Sequence, residues 1–120
     1  MFDSSLNNIN ELGLWNFQSF GRGVPVTKTG DFAVQPGENW INCNGAGIIK
    51  VTLPAASSWI GREIMIKNLS TTQQVNSASP NVVPLNSTVA GSLIFPAAAG
   101  FVKFLTLVSD GTNWVIINGN

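Results

Sequence analysis

Apolar and polar positions alternate along short stretches of this chain, and the alternation has a period of two. From Ile48 to Leu53, Ile49, Val51 and Leu53 fall on one face while Lys50 and Thr52 fall on the other. From Glu63 to Asn68, Ile64 and Ile66 oppose Glu63, Met65 and Lys67. Such alternation predicts half-buried β-strands. Further strands are expected at Phe32 to Val34, Trp40 to Cys43, Gln74 to Ser77, Ser92 to Phe95, Val102 to Ser109 and Trp114 to Asn118. Val82 to Leu85 is broken by Pro84 and belongs at an edge or in a loop. Turn signals separate these runs. Gln35-Pro36-Gly37-Glu38 is a turn sequence, Asn44-Gly45 predicts a hairpin, and Pro54 ends a strand. Asp110-Gly111 predicts a tight turn that pairs the last two strands antiparallel. About eight short strands at regular spacing predict an all-β fold, a small antiparallel β-sandwich or barrel. No internal repeat at a period of about 20–50 residues is visible, so no solenoid is expected.

Residues 1–30 read differently and form an expected N-terminal arm, ahead of a β domain over residues 31–120. Asp3, Ser4 and Ser5 are suited to cap a short helix carrying Leu6, Ile9 and Leu12, which Gly13 would end. Leu14 to Phe20 is rich in aromatics, and Gly21-Arg22-Gly23 with Pro25 makes a connector. So short a segment cannot bury this much apolar surface by itself; it must pack on its own domain, on a sister subunit or on another protein. Phe2, Leu6, Ile9, Leu12, Trp15, Phe17 and Phe20 are therefore candidate contact residues to another subunit or protein. Trp59, in the connector from Ala55 to Ile60, is a further interface candidate. Trp40 and Trp114 lie in strands and are expected in the core.

Composition narrows the function. Of 120 residues 44% are apolar, which suffices for one folded domain, but only 10% are charged, against roughly 25% in an ordinary soluble domain. Six basic and six acidic side chains cancel. A weakly charged, neutral surface favours association. It also lacks the basic patch that a nucleic-acid partner requires. No apolar run approaches the ~20 residues of a membrane span. The first residues hold Asp3 and several Asn rather than a basic stretch and an apolar run, so no leader is expected and synthesis is assigned to a cytoplasm.

The residues that carry most enzyme chemistry are sparse. There is no histidine and one cysteine, Cys43, so no zinc site and no internal disulfide are expected, and Cys43 reads as a small buried residue. Asp110-Gly111-Thr112-Asn113 shares a fragment with calcium loops but lacks further ligands, and reads as a turn. Ser57 and Ser58 have no nucleophile elbow around them. Asp31, Glu38, Glu63 and Asp110 are the only plausible partners for paired-carboxylate chemistry, and their spacing favours no pair. Neither Gly21-Arg22-Gly23 nor Gly45-Ala46-Gly47 has the third glycine and helix of a phosphate loop. No cofactor and no catalysis are expected.

One stretch has a wider likeness. Val51-Thr52-Leu53-Pro54-Ala55-Ala56 is followed by Ile60-Gly61-Arg62-Glu63-Ile64-Met65-Ile66-Lys67-Asn68, and then by Leu107-Val108-Ser109-Asp110-Gly111-Thr112-Asn113-Trp114-Val115-Ile116-Ile117. Their order resembles a β module of tailed-bacteriophage virion proteins, found in tail fibres and spikes, head fibres and capsid decoration (cement) proteins. The resemblance covers about residues 31–119. It implies a homotrimer and carries over no catalytic residue. A tail fibre joins such a module to a long shaft, which this chain lacks, so the expectation is a decoration protein. It would sit on the virion's outer capsid surface, with the major capsid protein as partner and the arm as its contact. The other reading is a receptor-binding fibre domain. There an exposed Trp59 and the loops at residues 70–80 and 86–92 would hold a host glycan.

Overall fold

The structure, a computed structural model, describes residues 23–97 and 100–120. It is all-β, with ten strands in two sheets and no α-helix among the described residues. The strands are β1 (Val26–Lys28), β2 (Phe32–Ala33), β3 (Trp40–Cys43), β4 (Ile49–Thr52) and β5 (Glu63–Asn68). There follow β6 (Val75–Ser77), β7 (Val82–Val83), β8 (Leu93–Phe95), β9 (Lys103–Ser109) and β10 (Trp114–Gly119). One sheet has the order β1-β3-β5-β9-β10-β7 and the other β2-β4-β6-β8.

The connectivity differs from the expected antiparallel arrangement. Successive strands from β1 to β6 alternate between the sheets, and each pairs in parallel with the strand two along. The chain thus winds as a flattened coil through both sheets. Val26, Ile41 and Ile66 stack as neighbours in one sheet, and Phe32, Val51 and Ser77 in the other. The Asn44-Gly45 hairpin does not form, because β3 and β4 lie in different sheets. Their inward residues (Ile41 and Cys43, Ile49 and Val51) face one another across the core instead. Antiparallel pairing appears later: β9 pairs with β5 and with β10, and β8 with β6. Pro84 ends the two-residue β7 at the edge of the larger sheet, where a missing N–H is tolerated. The larger sheet also takes in Val26–Lys28, so the β domain reaches into the stretch expected to be arm.

Inward side chains of the two sheets merge into one hydrophobic cluster, with Ile41, Val51, Ile64, Ile66, Leu107 and Trp114 fully buried. Cys43 belongs to it, and burial, with the Lys28 charge opposing, pushes its thiol up to about 12. A neutral, enclosed thiol is inert. Trp114 also fixes the 54–62 connector: its Nε1–H donates to the Pro54 carbonyl at 2.9 Å. The Ser109 hydroxyl donates to the Ala56 carbonyl at 2.6 Å, and the Gly61 amide donates to the Ser109 carbonyl at 2.8 Å. These bonds draw Ala56 and Trp59 into the core. The β9–β10 turn is held by Asp110, whose Oδ1 accepts the amides of Thr112 and Asn113 at 2.9 and 2.7 Å. Gly111, at φ 94°, supplies the left-handed residue there. Further along, the register between β9 and β10 shifts at Thr106/Leu107, leaving Ile117 as the extra residue of a bulge. Gly119 lets the strands approach there, since a Cβ would lie 2.6 Å from the Phe104 carbonyl oxygen.

At the first turn of the coil Lys28 covers the end of the core. Its Nζ sits 2.9 Å from Glu38 Oε2 and 5.3 Å from the Phe32 ring centroid. Burial raises the Glu38 carboxyl, but the Lys28 hydrogen bond, the Gln35 amide and the Lys28 charge together outweigh it. The net shift is below the ordinary 4.5. A depressed folded-state pKa contributes stability above the unfolded value, lost as pH falls through the folded one.

Two outcomes follow. Unfolding free energy, measured by denaturant titration across pH, should lose a Glu38-dependent increment below 4.5, and Glu38→Gln should remove that portion of the slope. Ser109→Ala should cost about 1–3 kcal/mol in urea melts, because it strips a buried donor from the Ala56 carbonyl. A cost indistinguishable from zero would mean the connector is not held by this bond.

Candidate interaction surface

The two sheets present unlike outer faces. On the four-stranded sheet Ala33, Lys50, Thr52 and Asn76 point outward, with Leu93 beside Asn76 at the edge. That face is polar and suited to water. On the six-stranded sheet the outward residues fall in three rows fixed by the register. The middle row runs Trp40, Met65, Thr106, Asn118. One flanking row runs Glu63, Val108, Val115, Val83 and the other Thr27, Asn42, Lys67, Phe104. Ile117, pushed out by the bulge, stands beside the middle row, 50% exposed.

Trp40 is therefore not the core residue expected from its strand position. It lies half-buried on the outer face, packed beside Met65 by the parallel β3–β5 register. Met65, Val83, Val108 and Val115 are likewise half-buried, and Thr106 is closed off at 5% exposed. The face thus mixes apolar residues (Trp40, Met65, Val83, Val108, Val115) with Thr106 and Asn118, and its charges, Glu63 and Lys67, lie in the flanking rows; Trp and Met are residue types enriched in protein contact surfaces.

Trp59 is corrected in the opposite direction. It is 8% exposed within the single chain. Its ring meets Trp114 edge to face, with centroids 5.9 Å apart. The Arg62 guanidinium stacks 3.6 Å over it while donating to the Pro36 carbonyl. It offers no open ring face to a sugar or a partner. Sequence position could not reveal this, because the burying residue is far along the chain. The other contact candidates, Phe2, Leu6, Ile9, Leu12, Trp15, Phe17 and Phe20, lie outside the described residues.

The carboxylates considered for catalysis are dispersed and engaged. Asp31 accepts the Lys50 amide at 2.9 Å ahead of β2. Glu38 pairs with Lys28 between β2 and β3, Glu63 begins β5 on the outer face, and Asp110 organises the β9–β10 turn. The Asn113 and Thr112 amides hold the Asp110 carboxyl below its ordinary value, as a turn residue requires no ion to explain. Among the described residues no three His, Cys, Asp or Glu side chains gather, and no helix is long and apolar enough to cross a membrane.

One open cavity of about 150 Å³ lies between the sheet edges, lined by Leu85, Ile94, Phe95, Leu105 and Ile116. Lys103, at its rim, donates to the Asn120 carbonyl and lies 4.5 Å over the Phe101 ring. Asn120 in turn accepts the Phe104 amide and donates to the Val102 carbonyl. The rim's polar atoms thus tie the strand ends together rather than converging on the cavity. No protein-family model, no curated protein and no solved structure matches this chain.

Proposed function

We propose that this protein is a structural component of a tailed-phage virion, a capsid decoration protein that assembles as a homotrimer and binds the outer surface of the major capsid protein. The observation that carries the reading is the ordered run of segments from Val51 to Ile117 that resembles the virion β module. These segments occupy β4, the 54–62 connector, β5, β9 and β10, the strands and clamp around which the core is built. An apolar outer sheet face and a chain with few charges fit a protein whose work is assembly. The work would be mechanical: apolar contact at capsid junctions, roughly 25 cal/mol per Å² before association costs, repeated over several sites per trimer.

In this reading the arm is the capsid contact, through Phe2, Leu6, Ile9, Leu12, Trp15, Phe17 and Phe20. The glycan-binding fibre domain loses its main support, because Trp59 is enclosed by Trp114 and Arg62.

Replacing Trp15, Phe17 and Phe20 together by Ser should leave the protein folded and self-assembled while abolishing co-sedimentation with capsids purified without it. Undiminished binding by that variant would exclude the arm as the capsid contact. Labelled protein found only at tails would exclude the decoration role itself.

A further inference from the structure

We propose that Asn44 is a site of spontaneous backbone modification: the fold leaves Asn44-Gly45 open to succinimide formation and shields the other two dipeptides of the same kind. The proposal is independent of the assembly reading.

Asparagine and aspartate followed by glycine share one reaction. The glycine amide nitrogen loses its proton to solvent base and attacks the preceding side-chain Cγ. In asparagine the new N–Cγ bond closes a ring as the Cγ–Nδ2 bond breaks and ammonia leaves. Water then adds to one ring carbonyl and breaks a C–N bond of the ring, giving aspartate or isoaspartate. The net change is amide plus water to carboxylate plus ammonium. From aspartate the leaving group is water, and the same ring reopens. Glycine favours the attack because no Cβ obstructs its nitrogen.

The sequence holds three such dipeptides: Asn44-Gly45, Asp110-Gly111 and Asn118-Gly119. At Asp110-Gly111 both reacting groups are committed. The Gly111 amide donates to Ser109 Oγ at 3.2 Å, and Asp110 Oδ1 accepts the Thr112 and Asn113 amides. Asn118-Gly119 lies in β10, opposite Thr106 and Leu105 of β9. Extended backbone there cannot fold back on the Asn118 side chain until the strand pair opens, and each ~1.4 kcal/mol of opening slows the reaction about tenfold. Asn44-Gly45 lies between β3 and β4, in neither sheet. Asn44 is exposed, and among the described residues neither its side chain nor the Gly45 amide makes a hydrogen bond. Asn44 is anchored by its own amide, which donates to the Lys28 carbonyl at 2.8 Å, on the N-terminal side of its Cα and away from the reacting atoms. Packing also retains the glycine, since a Cβ at Gly45 would lie 2.7 Å from the Gly47 carbonyl oxygen and 2.9 Å from Ile49 Cγ1. Asn86-Ser87 is exposed as well, but the Ser87 Cβ hinders its nitrogen.

Conversion would add one negative charge to a chain whose formal net charge is zero. Isoaspartate would also add a methylene to the main chain at the β3–β4 crossing, beside the bonds from Asn44 to Lys28 and from Leu69 to Cys43 that tie neighbouring turns of the coil.

The test is peptide mapping by mass spectrometry after timed incubation of the full chain at mildly alkaline pH, folded and in guanidinium chloride. Aspartate and isoaspartate are quantified at residues 44, 110 and 118. In denaturant Asn44 and Asn118 should convert at similar rates. In the folded chain Asn44 should convert at least about tenfold faster than Asn118, and Asp110 should not isomerise measurably. Asn44→Gln should abolish the acidic species that ion exchange resolves from the aged protein. Folded-state conversion of Asn118 or Asp110 as fast as that of Asn44 would overturn the inference. So would folding that slows Asn44 as strongly as it slows Asn118.

Discussion

Strand β5 joins two kinds of pairing, and the fold depends on that junction. On one side it pairs in parallel with β3, the last step of the coil in this sheet. On the other it pairs antiparallel with β9, the start of the C-terminal hairpin. Ile64 and Ile66 point inward with no exposure, each contributing about 1.5–3 kcal/mol by burial. Asn68 ends the strand with its side chain 1% exposed, donating to the Gln73 carbonyl and accepting the Ser70 amide, which turns the chain toward β6. Without β5 the larger sheet would separate into β1-β3 and β9-β10-β7. The inward alternation of five or six residues therefore holds together a coil and a hairpin that share no other ladder in this sheet.

The strands themselves were legible because each is specified locally. Period-2 alternation located β4 and β5, and the Asp110-Gly111 turn set the β9–β10 pairing. Pairing direction was not legible from such signals. Asn44-Gly45 is a sound hairpin sequence, yet Asn44 donates its amide to Lys28 and Leu69 donates to Cys43, binding neighbouring turns of the coil. The coil also left no repeat to detect. Val26, Ile41 and Ile66 stack although 15 and then 25 residues separate them, because the connections differ in length. A fixed period exists in sequence only when every turn has the same contour.

The aromatic residues show the same limit in the site. Alternation says that Trp40 faces one side of its strand, but only the sheet order decides whether that side is core or exterior. Trp59 sits in a connector that looked open. It is buried because Trp114 and Ser109, in later strands, hold the Pro54 and Ala56 carbonyls. Both misplacements come from contacts made by residues distant in sequence, which no local pattern records. The apolar outer face was likewise invisible as a surface, since its rows are assembled from β3, β5, β9, β10 and β7.

Polar side chains in this domain largely serve the backbone. Asp31, Glu38, Asp110, Asn68, Ser77 and Ser109 each accept or donate hydrogen bonds that fix a turn, a strand end or a connector. A carboxylate held below its ordinary pKa by turn amides, as Asp110 is, is poorly placed to take a proton at neutral pH. A thiol raised to about 12 by burial, as Cys43 is, is a poor nucleophile. About half of the outward positions on the larger sheet are apolar: Trp40, Met65, Val83, Phe104, Val108, Val115 and Ile117. Apolar area carries no reaction, but it does drive association, and association is strongest where charge is sparse and shapes fit. The polar chemistry of the described residues is thus largely committed to holding turns, strand ends and the connector in place.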